Sequence, residues 1–188
     1  MTKLAIVLAD GFADWECALV MAWGQTYMGI EITVATPGGQ PVTSLGGLKV
    51  TPDIALENIG PEVLGGLVIC GGSIWQSAQA PDLDAVAKRF MEANKLVAAI
   101  CDGVLGLART GVLNDRAHTG DGLEILERAP AYSGGSQFRK QPKALRDGNL
   151  ITASGLAPVS FMSEVFIALG YGGPELDQYV GMLGAEHV

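Results

Sequence analysis

The sequence predicts an α/β domain in which helices cover both faces of a mainly parallel sheet, forming a three-layer α/β/α sandwich. Short continuous apolar runs, such as residues 67–70 and 96–100, have the length and composition of strands buried on both faces. Longer segments with helical spacing alternate with these runs. With 188 residues and 48% hydrophobic content, the chain can bury the core of one domain over residues 1–188.

The first half of the chain predicts a strand, a helix and a second strand, followed by less regular structure. Residues 4–9 are an apolar run of strand length, a helical pattern starts at Asp14, and residues 31–36 form the next strand. Residues 41–51 predict a small hairpin because they hold a central glycine pair. Residues 52–64 are expected to be irregular or short helical.

The second half alternates in the same way. Residues 81–94 predict an amphipathic helix with one apolar face, and the Asp147-Gly148 dipeptide predicts the turn of a hairpin. The other predicted elements are a helix that opens at Gly103, a short strand at 116–119, a short helix at 122–128, hairpin strands at 143–146 and 149–153, and helices at 157–169 and 174–183.

Charge and cysteine usage narrow the classes of partner. A net charge of −8 and a pI near 4.6 argue against nucleic acid or an anionic membrane, because both select basic surfaces. Small molecules or other proteins remain. The three cysteines form no CxxC pair, which favours a reduced compartment, and the N-terminus turns polar too soon for a signal peptide. We therefore expect a cytoplasmic protein.

A candidate reactive residue, Cys101, stands where an apolar strand ends and a helix begins. This is the outline of a nucleophile elbow, whose sharp turn needs small residues two positions to either side, and Ala99 and Gly103 supply them. A sulfur at a helix N-terminus is stabilised as thiolate by the helix dipole and by nearby N–H groups. The alternative interpretation is a small buried hydrophobe that ends a core strand.

The C-terminal edge of the predicted sheet brings other groups towards Cys101. Glu16, in the first loop and helix, is the candidate acid. The alternative interpretation is an acid that only stabilises the N-terminus of its own helix. The backbone N–H groups of Gly71, Gly72 and Asp102 are candidates for holding a developing oxyanion. For the glycine pair, the alternative is an ordinary turn that terminates a strand.

Four stretches resemble the ThiJ/PfpI superfamily, which has the class I glutamine amidotransferase-like, flavodoxin-like fold. The elbow signature spans Ala98 to Gly103 and continues through Leu107 to Arg116 and Thr119. The other three are the first loop from Asp10 to Glu16, the turn Ile69-Cys70-Gly71-Gly72, and the late hairpin from Asp147 to Thr152. Together they span nearly the whole chain in order.

The resemblance implies that Cys101 is the reactive centre, that Glu16 hydrogen-bonds it, and that the protein is a homodimer. Activities in the family include cysteine-dependent hydrolysis, isonitrile hydration, glyoxalase or deglycase chemistry on α-oxoaldehydes, and oxidative-stress sensing. The resemblance implies no cofactor and no metal ion.

Two departures from the family pattern narrow the chemistry. Asp102 follows the cysteine where protease-like members carry histidine, and a carboxylate cannot replace imidazole as a base near neutral pH. The chain has only two histidines, His118 and His187, to complete an amidotransferase triad. Peptidase and glutaminase activities are therefore disfavoured. His118 stays a pocket candidate, with an ordinary polar strand residue as the alternative.

The leading hypothesis is an enzyme that attacks a small electrophilic carbon through the Cys101 thiolate, with Glu16 moving the proton. Trp15 and Trp75 are candidate walls of the substrate pocket, or else core or interface aromatics. The competing hypothesis is a redox-sensing or chaperone-like stress protein in which the same cysteine is oxidised. Apolar residues around the first helix also favour a homodimer.

Overall fold

The computed structural model describes residues 2–185, so His187 lies outside the described residues. The strands are β1 (Lys3–Val7), β2 (Glu31–Thr36), β3 (Val42–Thr43), β4 (Lys49–Val50), β5 (Ile54–Ala55), β6 (Gly66–Ile69), β7 (Leu96–Ile100), β8 (Leu145–Asp147) and β9 (Leu150–Ala153). The helices are α1 (Asp14–Thr26), α2 (Asp84–Glu92), α3 (Asp102–Ala108), α4 (Leu123–Leu126), α5 (Pro158–Ala168) and α6 (Pro174–Gly184).

The main sheet has seven strands in the order β5-β2-β1-β6-β7-β9-β8. Every pairing is parallel except that of β8 with β9, which form the predicted hairpin. β3 and β4 make a separate antiparallel hairpin, also as predicted. The predicted mainly parallel, flavodoxin-like sheet flanked by helices is confirmed.

Two apolar layers separate the sheet from its helices. On β1, Leu4 and Ile6 face α1, α5 and α6, whereas Ala5 and Val7 face α2, α3 and α4. Because both faces of the central strands are covered, these strands are continuously apolar rather than alternating. Within residues 2–185, no helix combines the length and apolar character needed to cross a membrane.

Two local predictions differ from the structure. The strand predicted at 116–119 is reduced to an isolated bridge between His118 and Phe138, and Thr119 N–H donates to the Thr152 side chain instead of to a ladder. Conversely, the two-residue strand β5 was not predicted. Two residues are too short to show a periodic pattern, and β5 forms because the preceding Asp53 is hydrogen-bonded at both its backbone and side chain to Val34.

The register of the four central strands aligns their C-terminal ends. Val7 pairs with Ile69, Ile69 with Ala99, and Ala99 with Thr152. The segments that follow β1, β6, β7 and β9 therefore emerge at the same edge of the sheet, where open α/β sheets bind their ligands.

Candidate active site

Cys101 occupies a sharp turn between β7 and α3. Its backbone has φ of 56° and ψ of −135°, a conformation that L-residues rarely adopt, and its N–H donates to Ala153 O at 2.9 Å. Gly103 permits the turn because a Cβ there would lie 2.9 Å from Ile69 O. The backbone is therefore that of the predicted nucleophile elbow.

Glu16 lies in the first turn of α1 with its side chain turned inward, only 1% exposed. Its Oε2 accepts a hydrogen bond of 2.7 Å from Gly71 N–H. A Cβ added at Gly71 would collide with Glu16 Oε2 and lie 2.6 Å from Cys101 Cβ. Glycine at this position thus lets the carboxyl group and the cysteine approach each other.

Gly155, in the loop after β9, lies against both groups. A Cβ there would lie 2.9 Å from Cys101 Sγ and 3.2 Å from Glu16 Oε1, so the sulfur and this oxygen face the same glycine. Oε1 is buried and has no well-oriented hydrogen-bond donor among the described residues. The structure therefore brings Cys101 and Glu16 together. One carboxyl oxygen is bound to backbone, and the other faces the Cys101 thiol, which is close enough to lower the Glu16 pKa but is not well oriented as a donor.

The environment of this pair raises both pKa values. Burial raises the pKa of Glu16 to about 7, with smaller contributions in the same direction from Asp121 and Asp102, opposed by hydrogen bonding to Cys101 and Gly71. Burial, followed by the negative charge of Glu16, raises the pKa of the Cys101 thiol well above its usual range. We expected the helix N-terminus to lower this pKa. Only the Asp102 N–H acts in that direction, and α3 is short.

Asp121 and Gln76 are residues of the site that sequence reasoning missed. Asp121 Oδ1 accepts hydrogen bonds from Ser154 Oγ at 2.7 Å and from Gly155 N–H at 3.0 Å, which ties down the loop against the sulfur. Gln76 Nε2 donates to both carboxylate oxygens of Asp102, at 3.0 and 2.9 Å. Neither residue belongs to a recognisable sequence motif, and both reach the site through long-range packing.

Three predicted site residues have other roles. Trp75 is not a pocket wall, because its ring is fully buried and its Nε1–H donates to Cys70 O at 2.9 Å. His118 does not hydrogen-bond Cys101, because its ring nitrogens are engaged by Tyr132 Oη and Arg116 O, both at 2.8 Å. Burial lowers the His118 pKa, which favours the neutral ring. The Gly71 N–H is bound to Glu16 and is not free to hold an oxyanion.

The other two thiols are buried close to Glu16. Cys17 and Cys70 are buried, and a hydrogen bond to Cys70, reinforced by burial, raises the pKa of Cys17. Cys70 Sγ contacts Ala13 O at 3.5 Å and Glu16 Oε2 at 4.0 Å. Cys101, by contrast, is partly exposed. In the described part of the chain, no group of three or more His, Cys, Asp or Glu side chains could hold a metal ion.

Comparison with known proteins identifies relatives along the full chain. The model of the DJ-1/PfpI family matches residues 2–167. The chain is 32% identical to the uncharacterized protease YoaZ of Bacillus subtilis, over 92% of this chain and 86% of that protein. It is 31% identical to a protein named a deglycase from Thermococcus kodakarensis, over 62% of this chain and 70% of that protein.

Solved structures agree with this match. The DJ-1 superfamily protein Atu0886 from Agrobacterium tumefaciens superposes with a TM-score of 0.98 and 48% identity, covering 100% of both chains. A thiJ/pfpI family protein from Bacillus anthracis superposes with a TM-score of 0.87 and 27% identity, covering 96% of this chain and 89% of that chain.

Proposed function

The chain belongs to the DJ-1/PfpI family, and from that premise we propose that it is an enzyme in which Cys101 and Glu16 act on a small electrophilic carbon, a carbonyl or an isonitrile. Family relatives are named proteases or deglycases, which supports cysteine-based catalysis at the family level. The observation that carries the proposal for this chain is the placement of Cys101 Sγ and the unsatisfied Glu16 Oε1 over Gly155.

Glu16 has the pKa of a general base that works near neutral pH. As the sulfur attacks a carbonyl carbon, Glu16 takes the thiol proton and a C–S bond forms. The C=O π electrons move to the oxygen, which then receives that same proton from Glu16. The adduct is a hemithioacetal bonded to Cys101, and no oxidant or reductant is consumed in forming it. With the Gly71 N–H bound to Glu16, the Asp102 N–H, which faces the sulfur, and the Gly72 N–H remain the candidate donors for the developing oxyanion.

The neighbouring carboxylate of Asp102 is turned away from the reaction. Gln76 binds both of its oxygens and is itself contacted by Arg128, whose Nη1 donates to Gln76 Oε1 at 3.3 Å. Among residues 2–185, no histidine hydrogen-bonds the cysteine, so this part of the chain forms no Cys-His protease dyad. This supports attack on the electrophilic carbon of a carbonyl or an isonitrile over hydrolysis of a peptide bond.

Turnover of a panel that holds methylglyoxal, an isonitrile and a simple amide tests the proposal. We expect release of product from the aldehyde or the isonitrile, abolished in Cys101→Ser. No turnover of any member by the folded protein would reject the enzymatic proposal and favour the redox-sensing alternative.

We further infer a homodimer built around α1. Val20 is buried in the chain's own core, and Trp23 stacks on Tyr179 with ring centroids 3.3 Å apart. The outer face of α1 nevertheless contributes Ala18, Met21 and Ala22 to an apolar depression. Light scattering at micromolar concentration should give twice the chain mass, and a monomer would contradict the inference.

A further inference from the structure

The segment between α3 and α4 is fastened to the end of β9 and to the loop that follows it. Thr119 N–H donates to Thr152 Oγ1 of β9 at 2.8 Å. Two positions later, Asp121 Oδ1 accepts hydrogen bonds from Ser154 Oγ at 2.7 Å and from Gly155 N–H at 3.0 Å. One carboxylate oxygen thus binds two consecutive residues of the loop formed by residues 154–157.

The 154–157 loop lies directly against the reactive pair, Cys101 and Glu16. A Cβ added at Gly155 would lie 2.9 Å from Cys101 Sγ and 3.2 Å from Glu16 Oε1, so the backbone of the loop covers both groups. A displacement of this loop would change how closely the two groups are packed and how much water reaches them.

The anchor from Asp121 differs from the other hydrogen bonds of the loop. Leu156 N–H donates to Ser154 Oγ at 3.3 Å, and Ala157 N–H donates to Ser154 O at 3.0 Å. These two bonds are internal to the loop, whereas the Asp121 carboxylate joins the loop to a different segment of the chain.

Asp121 also acts on the reactive pair through its charge. Its carboxylate raises the pKa of Glu16 and the pKa of Cys101, in each case by less than burial does. Asp121 forms no salt bridge with another residue in the range 2–185, so no contacting base neutralises this charge.

The pair faces further titratable groups, which substitutions at Asp121 leave in place. Cys17 of α1 and Cys70 after β6 are buried thiols close to the pair. Asp102 of α3 adds a negative charge, and Arg128 lowers the pKa of Asp102. A change in the titration of the pair can therefore be assigned to Asp121 when Asp121 alone is substituted.

We propose that Asp121 is a positioning residue of this site, which holds the 154–157 loop over the reactive pair and so keeps their shared proton away from water. The inference rests on the proposed function. It assigns Asp121 a role that is exerted through Ser154 and Gly155 and not by contact with a substrate.

Two substitutions separate the hydrogen bonds of Asp121 from its charge. Asp121→Asn removes the charge but keeps a side-chain carbonyl oxygen that can accept both hydrogen bonds, whereas Asp121→Ala removes the charge and the acceptor. The rate of Cys101 alkylation by iodoacetamide is read by mass spectrometry across a range of pH. Its midpoint reports the titration of the reactive pair without requiring turnover.

We expect both substitutions to lower this midpoint, because a nearby negative charge and the exclusion of water each disfavour ionisation. Asp121→Asn should lower the midpoint by about half a pH unit through the loss of charge alone. Asp121→Ala should lower it further, by about one pH unit, because the released loop also admits water to the pair.

Asp53→Ala is the matched control. Asp53 Oδ2 also accepts a backbone hydrogen bond, from Val34 N–H at 2.8 Å, but it lies beside β5 at the far edge of the sheet. Its substitution should leave the midpoint of Cys101 alkylation unchanged. Urea unfolding of each variant establishes that the protein assayed is folded.

Turnover provides a second measurement on a substrate that the wild type processes. The kcat of Asp121→Ala should fall by up to about 10²-fold with little change in KM, because small displacements at reacting groups have effects of that size. Asp121→Asn should recover most of the wild-type kcat, since it keeps the anchor.

Equal midpoints in Asp121→Asn and Asp121→Ala would overturn the inference, because Asp121 would then act through its charge alone. Wild-type midpoints in both variants, or an undiminished kcat in Asp121→Ala, would overturn it as well. The proposed function fails separately, through the absence of turnover by the wild-type protein on the substrate panel.

Discussion

At the scale of single residues, the site depends on the Glu16 carboxyl group and the Cys101 thiol, which lie too close together for both to be negatively charged. The negative charge of Glu16 raises the energy of the Cys101 thiolate, so the pair holds one proton over a wide range of pH. Gly71 and Gly155 make this contact possible, because a side chain at either position would collide with the pair. The pair therefore titrates as a unit.

The alkylation rate of Cys101 should follow the first proton that the pair loses. Because the Glu16 pKa is about 7, the rate with iodoacetamide should increase by roughly tenfold per pH unit up to about pH 7 and then level off. Glu16→Gln removes the base, so its rate should rise only at higher pH, where the buried thiol ionises unaided. A wild-type midpoint at the pH of an ordinary free thiol would show that Glu16 is not coupled to the sulfur.

Sequence reasoning located Cys101 and Glu16 but not Asp121 or Gln76. Cys101 and Glu16 could be predicted because each belongs to a short local sequence pattern, and the predicted topology brings those two patterns to the same edge of the sheet. Asp121 reaches the site by hydrogen-bonding Ser154 and Gly155, which lie more than thirty positions along the chain. Trp75 was misplaced because sequence alone does not reveal that its indole N–H finds a buried acceptor.

At the scale of elements, the turn between β7 and α3 stores backbone strain at the reactive residue. Cys101 is one of two non-glycine residues with positive φ within residues 2–185, and its carbonyl accepts the Val104 N–H bond that opens the helix. The strain is offset by the buried strand and the covered helix on either side. The turn between β7 and α3 thus holds the sulfur at the edge of the sheet, and its strained backbone lowers the stability of the fold.

The strain predicts an unusual order of stability between two variants. Cys101→Gly should be more stable than Cys101→Ala by about 1 kcal/mol, because glycine adopts positive φ without a steric penalty. In an unstrained position glycine would be the less stable of the two. Urea unfolding of both variants measures the difference. A result in which Cys101→Ala is clearly the more stable would show that the turn is relaxed.

At the scale of the whole molecule, the mainly parallel sheet and the apolar layers on its two faces could be predicted because strand and helix patterns alternate along the chain. The elements at the edges of the sheet could not be predicted. β5 is too short to carry a pattern, and the predicted strand at 116–119 bonds a side chain of β9 instead of pairing in the sheet. Burial of the Glu16 carboxyl group also affects the free energy of unfolding of the entire molecule. Glu16 should make the fold less stable as pH rises. Its pKa is raised from 4.5 to about 7 on folding, so its contribution is fully present below pH 4.5 and is lost as pH rises through 7. At 1.36 kcal/mol per pKa unit, the loss amounts to at most about 3 kcal/mol. Glu16→Gln should therefore gain stability over wild type, by up to about that amount, between pH 4 and pH 8.

Urea unfolding at several pH values measures this gain. Glu92→Gln, on the exposed surface of α2, removes the same charge without burial and is the matched control. Parallel pH profiles for wild type and Glu16→Gln would contradict the assigned environment of Glu16.

The most direct test of the central claim is turnover in Glu16→Gln beside Cys101→Ser, with the thiolate absorbance of Cys101 titrated in the glutamine variant. Glutamine keeps the hydrogen-bonding groups but cannot move a proton, so turnover should fall by about 10²–10⁴-fold. Cys101→Ser should abolish it. If Glu16→Gln keeps full activity on a substrate that Cys101→Ser cannot process, Glu16 is only an acid at a helix terminus and the Cys101/Glu16 mechanism is wrong.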